Sequence, residues 1–212
     1  MNLLVISDLH MGPTTSERNE SFLQFLEAAK QKNDQVLIAG DLFDLWLGWE
    51  KLTLEFQKPI LRRMQELFES GLIIDYVEGN RDFGLRRLQG VLFRRVESRI
   101  LETVWEGKRI HVEHGDLINE ADWQYRAWRK ISKSKFSYLL LEHLPSFATL
   151  RMALRLEENM RNTNIKHKSY YPEQSAEKFI AHLAESGFDL VVVGHFHIEK
   201  TRTLRLENRN VL

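Results

Sequence analysis

Leu3-Leu4-Val5-Ile6-Ser7-Asp8-Leu9-His10 sets a short apolar run directly against a carboxylate and an imidazole two residues apart. Such a run, closed by the Gly12-Pro13 break, reads as a buried strand. Alternation along a strand lets Asp8 and His10 leave its carboxyl end on the same side, where ligands collect in open α/β sheets. Working outward, the same pattern recurs four times. Val36-Leu37-Ile38-Ala39 leads into Gly40-Asp41, Ile73-Ile74-Asp75-Tyr76-Val77 into Gly79-Asn80-Arg81-Asp82, and Ile110-His111-Val112 into His114-Gly115-Asp116. Leu190-Val191-Val192-Val193 leads into Gly194-His195-Phe196-His197.

Between these strands the periodicity is helical. Phe22, Phe25, Leu26 and Ala29 recur at helical spacing, as do Phe56, Ile60, Leu61, Met64, Leu67 and Phe68 until Gly71 stops them. Strand-helix-strand units predict parallel pairing with helices packed on the sheet. From Val91 to Val112 the pattern turns to strands, with Glu106-Gly107-Lys108 as a hairpin turn, and Phe179, Leu183 and Gly187 mark a further helix. The expectation is a layered α/β domain of one or two sheets. Thr201 to Leu206 reads as a strand and Glu207-Asn208-Arg209-Asn210 as a turn, with Val211-Leu212 only beginning a return strand, which predicts a truncated strand or an unpaired sheet edge.

One segment breaks the rhythm. Between Asp116 and Pro172 the chain is amphipathic and helical, with Trp123, Tyr125, Trp128, Phe136, Tyr138, Leu139, Leu140, Leu141, Leu144, Phe147, Leu150, Leu154 and Leu156 interleaved with arginine and lysine. Lying between two ligand motifs, it must leave the sheet near the site and return there, so it is read as a helical cap. Its apolar faces can pack on one another as a hairpin around Pro145, or line a greasy channel or meet a membrane surface.

Composition bounds the chemistry. With no cysteine, thiol nucleophiles, disulfides and Cys-ligated metals are excluded, so any metal is held by nitrogen and oxygen. A formal net charge of zero argues against whole-protein affinity for nucleic acid. Met1 leads straight into a strand without a signal sequence, and no apolar run approaches the roughly 18 to 20 residues of a membrane span. A cytoplasmic protein is expected.

Asp8, His10, Asp41, Asn80, His114, His195 and His197 are residue types that bind hard and borderline metals. An amide such as Asn80 is a weak ligand found beside stronger ones. Gly40 is read as leaving room for an approaching ion. His111, out of phase with Ile110 and Val112, is expected to face away from its strand's core, and His143, His167 and His182 have no partner motif.

The order Asp-x-His, Gly-Asp, Gly-Asn, His, Gly-His-x-His resembles that of the calcineurin-like metallophosphoesterases, end to end. The resemblance implies a two-sheet β-sandwich flanked by helices around a dinuclear centre, as one domain over residues 1–212 with a cap insertion at about 118–171. Generic members carry histidine after the motif asparagine; here it is Arg81. Together with Asp41-Leu42-Phe43-Asp44-Leu45-Trp46-Leu47-Gly48, Asn80-Arg81-Asp82-Phe83 and the helical segment, Arg81 is similar to one branch, the UDP-2,3-diacylglucosamine diphosphatases of lipid A synthesis. Those enzymes cleave a lipid-linked nucleotide sugar to UMP and a diacylglucosamine 1-phosphate, usually with manganese.

By that resemblance, Asp8, His10, Asp41 and His197 hold one ion and Asp41, Asn80, His114 and His195 the other, with Asp41 bridging. Asp41, Asn80, Arg81, His114 and His195 are then catalytic, and Asn80, Arg81, Asp122, Lys168 and His195 meet substrate. Which of Asn162, Asn164 and Lys166 joins them stays open. The loop Gly194-His195-Phe196-His197-Ile198 lacks the branch's usual small residue and arginine. A leaving phosphate, with its last pKa at about 6, departs as an anion and wants charge neutralisation rather than a proton. Arg81 offers that with a bidentate guanidinium. The implied partners are a lipid-linked nucleotide sugar and, peripherally, the inner membrane; no nucleic acid is implied. The alternatives are another phosphodiesterase or nucleotide pyrophosphatase of the same fold, whose cap would hold no acyl-sized cavity, and a non-catalytic binding module, which would be expected to have lost ligand residues.

Overall fold

The computed structural model describes residues 1–164, 171–206 and 209–211. Strand β1 (Leu3–Ile6), helix α1 (Ser16–Gln31), β2 (Gln35–Ile38), the short β3 (Trp46–Leu47), α2 (Gln57–Glu69) and β4 (Ile73–Val77) follow in order. The short β5 (Asp82–Phe83), β6 (Arg95–Glu97), β7 (Ile100–Trp105) and β8 (Lys108–Glu113) come next. Helices α3 (Trp123–Ser132), α4 (Lys135–His143), α5 (Ser146–Asn164) and α6 (Glu173–Glu185) separate β8 from β9 (Leu190–Val193). Then come β10 (Leu204–Leu206) and β11 (Arg209–Val211).

β1, β2, β4 and β6 form one all-parallel sheet in that order. Its register sets Ile6 opposite Ile38 and Ile38 opposite Tyr76, which brings the carboxyl ends of three strands level. A second sheet runs β7-β8-β9, antiparallel and then parallel. Alternation along the strands divides the core. Val36, Ile38, Ile74 and Tyr76 pack with Phe22, Leu26 and Ala29 of α1 and Ile60, Met64 and Leu67 of α2. Leu37, Ala39 and Val77 point the other way, with Leu3 and Val5, onto Leu101, Ile110, Val112, Leu190 and Val192 of the second sheet. The two faces of one sheet thus bury against helices and against another sheet, a sandwich with helices outside. Leu37 is fully buried between the sheets, where truncation to alanine costs about 2–5 kcal/mol.

Local signals explain the boundaries. α2 buries Gln57, Ile60, Met64 and Leu67 at helical spacing and ends where Gly71 turns left-handed at φ 99°. In the β7–β8 hairpin both turn residues, Glu106 and Gly107, have positive φ (49° and 77°), which matches the right-handed twist of the strands they join.

Three expectations are corrected or extended by the structure. His111 does point away from the sheet-to-sheet core, but it is 2% exposed. It lies under α6 against Phe179 and Phe188, with its ring nitrogens 3.9 Å from Glu102 and 3.6 Å from Glu113. The strand expected over Thr201 to Leu206 begins only at Leu204, and it is not left unpaired: β10 pairs antiparallel with β11. Among the described residues, the apolar side chains of α3 to α5 bury one another only in part, with Trp128 and Tyr138 joining Leu141 and Ala153. Leu141 and Ala153 pack on Leu45, Leu47, Trp49, Leu52 and Phe83, yet Ile131, Phe136, Leu139 and Phe147 stay exposed. Among the described residues, no helix is long and apolar enough to cross a membrane.

Candidate active site

The carboxyl ends of β1, β2, β4, β8 and β9 converge, and with them the seven expected residues. The Asp41 carboxylate lies between two histidines, its Oδ2 3.7 Å from His10 Nε2 and 3.5 Å from His114 Nε2. Asp8 Oδ1 stands 3.9 Å from His10 Nε2, 3.9 Å from His197 Nε2 and 4.0 Å from His114 Nε2. Asn80 Oδ1 is met by His114 Nε2 at 2.9 Å and by His195 Nδ1 at 3.1 Å. The rings of His10 and His197 stack with centroids 5.0 Å apart.

The donor set fits divalent ions. Asp8 Oδ1 and His10 Nε2 are buried without a hydrogen-bond partner, a costly state that a cation resolves. Separations near 4 Å are too long for hydrogen bonds and suit two donors on one ion, each about 2.0–2.2 Å from it. Two groups have that form, Asp8 with His10 and His197, and Asp8 with Asp41 and His114. Both contain Asp8, whereas the resemblance shares Asp41; the Asp41 distances to His10 and His114 place its carboxylate between the groups as well.

The local backbone is strained where these residues sit. Asp8 (φ 57°), His10 (45°), Asp41 (53°), His195 (73°) and His197 (51°) all occupy the left-handed region, which side chains bearing a Cβ normally avoid. Neighbouring loops hold them there. The backbone N–H groups of Asp8 and His10 donate to the carbonyls of Gly40 and Asp41 at 3.1 and 3.0 Å, and that of Arg81 donates to Asp41 Oδ1 at 2.8 Å. Gly40 has a different reason from the one expected. Its φ is 92°, and a Cβ there would lie 2.6 Å from His114 Nδ1 and 2.7 Å from the Gly79 backbone, so it makes room for the neighbouring loops rather than for an ion. A Cβ on Gly79 would lie 2.1 Å from Asp41 Oδ1.

Several supporting residues were passed over in the sequence. Ser7 Oγ donates to Asp8 Oδ2 and to the Ala39 carbonyl, and the His195 backbone N–H reaches the same Asp8 oxygen at 2.7 Å. Asp82 Oδ2 collects the backbone N–H groups of Asp41 (2.9 Å) and Gly79 (2.8 Å) and the Tyr76 hydroxyl (2.8 Å), which binds two ligand loops together. Asp116 receives the Arg129 guanidinium at 2.6 Å and the Tyr125 hydroxyl at 2.5 Å, and Lys133 donates to Glu78 at 3.0 Å and to the Gly79 carbonyl at 2.8 Å. α3 is thereby tied to both the Asn80 and His114 loops. The available signal was position: each acid lies within two residues of an expected ligand.

The charges divide the histidines. Burial pushes the His114 imidazole down, but the carboxylates of Asp41, Asp8 and Asp116 outweigh it and raise its pKa to about 9. Burial, reinforced by His114, lowers His195 to about 4. Burial and the Asp41 charge raise Asp82 to about 7. The cluster therefore keeps a proton on His114, where a cation would replace it.

Two cavities meet here. The larger, about 560 Å3, is lined by His10, Asp41, His195 and His197 and by the segment from Gly115 to Tyr125. The smaller, about 230 Å3, is walled by Leu45, Leu47, Phe83, Trp128, Leu140 and Met152. Asn80 and Arg81 line both. Arg81 is 5% exposed, a buried cation at the junction of the two cavities. Asp122 lines the larger cavity and caps α3, accepting from the Tyr125 N–H at 3.0 Å. Lys166 and Lys168 lie outside the described residues, as do the side chains of Asn162 and Asn164.

This order of ligand-bearing strand ends coincides with a family profile, that of the calcineurin-like phosphoesterases, which matches residues 1–199. The chain belongs to that family. Among calcineurin-like phosphoesterases it is similar to a UDP-2,3-diacylglucosamine hydrolase of Pseudomonas putida, 31% identical over 92% of this chain and 81% of the relative. A UDP-2,3-diacylglucosamine hydrolase of Vibrio vulnificus is 28% identical over 93% of this chain and 81% of the relative. A solved archaeal phosphodiesterase shares 12% identity, covering 99% of this chain and 81% of its own, at a TM-score of 0.44. Members of this family use divalent metals, which agrees with the donor set found here.

Proposed function

We propose that this phosphoesterase hydrolyses the pyrophosphate of UDP-2,3-diacylglucosamine to UMP and 2,3-diacylglucosamine 1-phosphate, with two manganese ions. The reading is supported by relatives named for that substrate. The observation that carries it is Arg81, buried beside the ligand cluster on the seam between the cavity that holds those ligands and an apolar one.

Asp8, His10, Asp41 and His197 would hold one ion, and Asp41, Asn80, His114 and His195 the other. When bound, the pair would supply Lewis-acid activation of water and of the phosphoryl oxygens. The chain does the rest. Ser7 and the His195 backbone N–H fix the Asp8 carboxylate, and Asp82 fixes the backbone that presents Asp41. Arg81 neutralises the leaving phosphate, which departs without needing a proton. Asp122 and Lys168 are proposed to meet the substrate, and the apolar cavity to receive acyl chain.

The helices α3 to α5 form the cap of a single domain, and they dock peripherally on the cytoplasmic face of the inner membrane. Exposed Phe136, Leu139 and Phe147 supply the apolar contact, with lysine and arginine of the same helices beside them. Incubation of manganese-loaded protein with UDP-2,3-diacylglucosamine is expected to yield UMP, with none formed after chelation. Robust cleavage of bis(4-nitrophenyl) phosphate by a protein that leaves the lipid intact would transfer the assignment to another phosphodiester.

A further inference from the structure

The residues proposed for ions and phosphate make up only part of the larger cavity's lining. The remainder is of another chemical kind: Trp123, Asn119 and Gln124 from the segment after His114, and Phe196 from the last ligand loop. Trp123, the first residue of α3, is 70% exposed and belongs to none of the buried core clusters. An indole left in water forgoes the burial that normally dominates its energetics, and a stacking ligand would supply it.

Phe196 is preset. Its ring stands edge-to-face with Tyr171 at 5.1 Å and with His195 at 5.4 Å, and the Lys200 ammonium lies 4.7 Å over the Tyr171 ring. An aromatic face already fixed loses little conformational entropy when a ligand settles on it. Charge points the same way. Histidines apart, Arg81 is the one basic side chain among the described residues lining this cavity. Of the segment's two carboxylates, Asp116 is taken by Arg129 and Tyr125 and Asp122 caps α3, and what it offers beside them is aromatic faces and amides, suited to a flat, uncharged group. A pyrimidine base has a π-face for the rings, and an edge of alternating acceptors and donors for amides that both donate and accept.

We propose that Trp123 and Phe196 form a base-stacking wall for the nucleoside half of the substrate, with Asn119 and Gln124 serving the base edge. The proposal rests on the substrate reading above and adds the determinant by which the enzyme tells a nucleotide from a bare sugar phosphate.

The test is calorimetric titration of UMP and of ribose 5-phosphate into the manganese-loaded wild type and the Trp123→Ala and Phe196→Leu variants. Wild type is expected to prefer UMP, and each variant to lose about ten-fold in UMP affinity while ribose 5-phosphate binds all three proteins alike. A wild type indifferent between the probes overturns the wall, as does equal weakening of both probes or no weakening of UMP. Failure of the substrate reading looks different: base-dependent UMP binding as described, in a protein that leaves UDP-2,3-diacylglucosamine uncleaved, supports the wall and removes only the lipid.

Discussion

The ends of the sandwich strands and the helices α3 to α5 face the same cavities yet are built on opposite terms. Asp41 and His114 are each 1% exposed, whereas Phe136 and Phe147 are 72% and 77% exposed. Each ligand loop is held by a strand behind it and by its neighbours beside it, so its strained backbone has no easier place to go. The helices rest on a patch around Leu141 and Ala153 and on charged tethers, buried from Arg129 to Asp116 and Lys133 to Glu78 and exposed from Arg87 to Glu142. Positioning of ions demands the first arrangement. Reception of a long apolar group, as proposed for the helices, would tolerate the second.

The sharpest way to break this contrast is at Asp41, whose carboxylate lies between His10 and His114. Asp41→Ala is expected to lower hydrolysis on the order of 10³-fold or more, with the helical signal in circular dichroism unchanged. A loss of only a few-fold would mean that the chemistry lies elsewhere. Next is the tether. Arg129→Met leaves Asp116 buried without its cation, and urea unfolding should show a loss of about 3–5 kcal/mol; a loss below about 1 kcal/mol would make α3 a passenger.

Arg81→Lys keeps the charge but loses the fork, and kcat on the pyrophosphate should fall about 10²-fold with KM less affected. On the outer face of the helices, Phe136→Ser with Phe147→Ser should weaken binding to anionic phospholipid vesicles about ten-fold. The same pair should change unfolding free energy by less than about 0.5 kcal/mol. Unchanged vesicle binding would remove the membrane role of that face. The smallest effect is a proton. His114, held up to about 9 by its carboxylates, is protonated at neutral pH in the metal-free protein, whereas His195, lowered to about 4, is already neutral. Ion loading near neutral pH should therefore release about one proton per chain. That release should disappear as pH rises past the His114 value, because the proton has then already left.

The same contrast explains what could be read from the chain. Strand ends advertise themselves, because Val36 to Ala39 must be apolar to lie between two layers and Asp41 must follow where the strand runs out. The parallel order of β1, β2 and β4 followed from the helices between them. Ser7, Asp82 and Glu78 were hidden because each also takes a partner far along the chain, the Ala39 carbonyl, the Asp41 N–H and the Lys133 ammonium, at separations no local pattern records. The burial of His111 was hidden for a related reason: alternation gives the face of a strand, but whether α6 covers that face is a tertiary fact. In α3 to α5, helical periodicity located the helices, yet the same stripe describes a face that packs on a neighbour and one that waits for lipid. Arg129 and Lys133 looked like ordinary surface charges until Asp116 and Glu78 were brought to meet them.

The central claim is that five strand ends build one two-ion centre. A manganese titration of the metal-stripped protein, read by ion count and electron paramagnetic resonance, tests it most directly. Two ions per chain with the spectrum of a coupled pair, about 3.5–4 Å apart, and loss of that pair in Asp41→Ala are the expected results. One isolated ion, or a coupled pair that survives Asp41→Ala, would contradict the account.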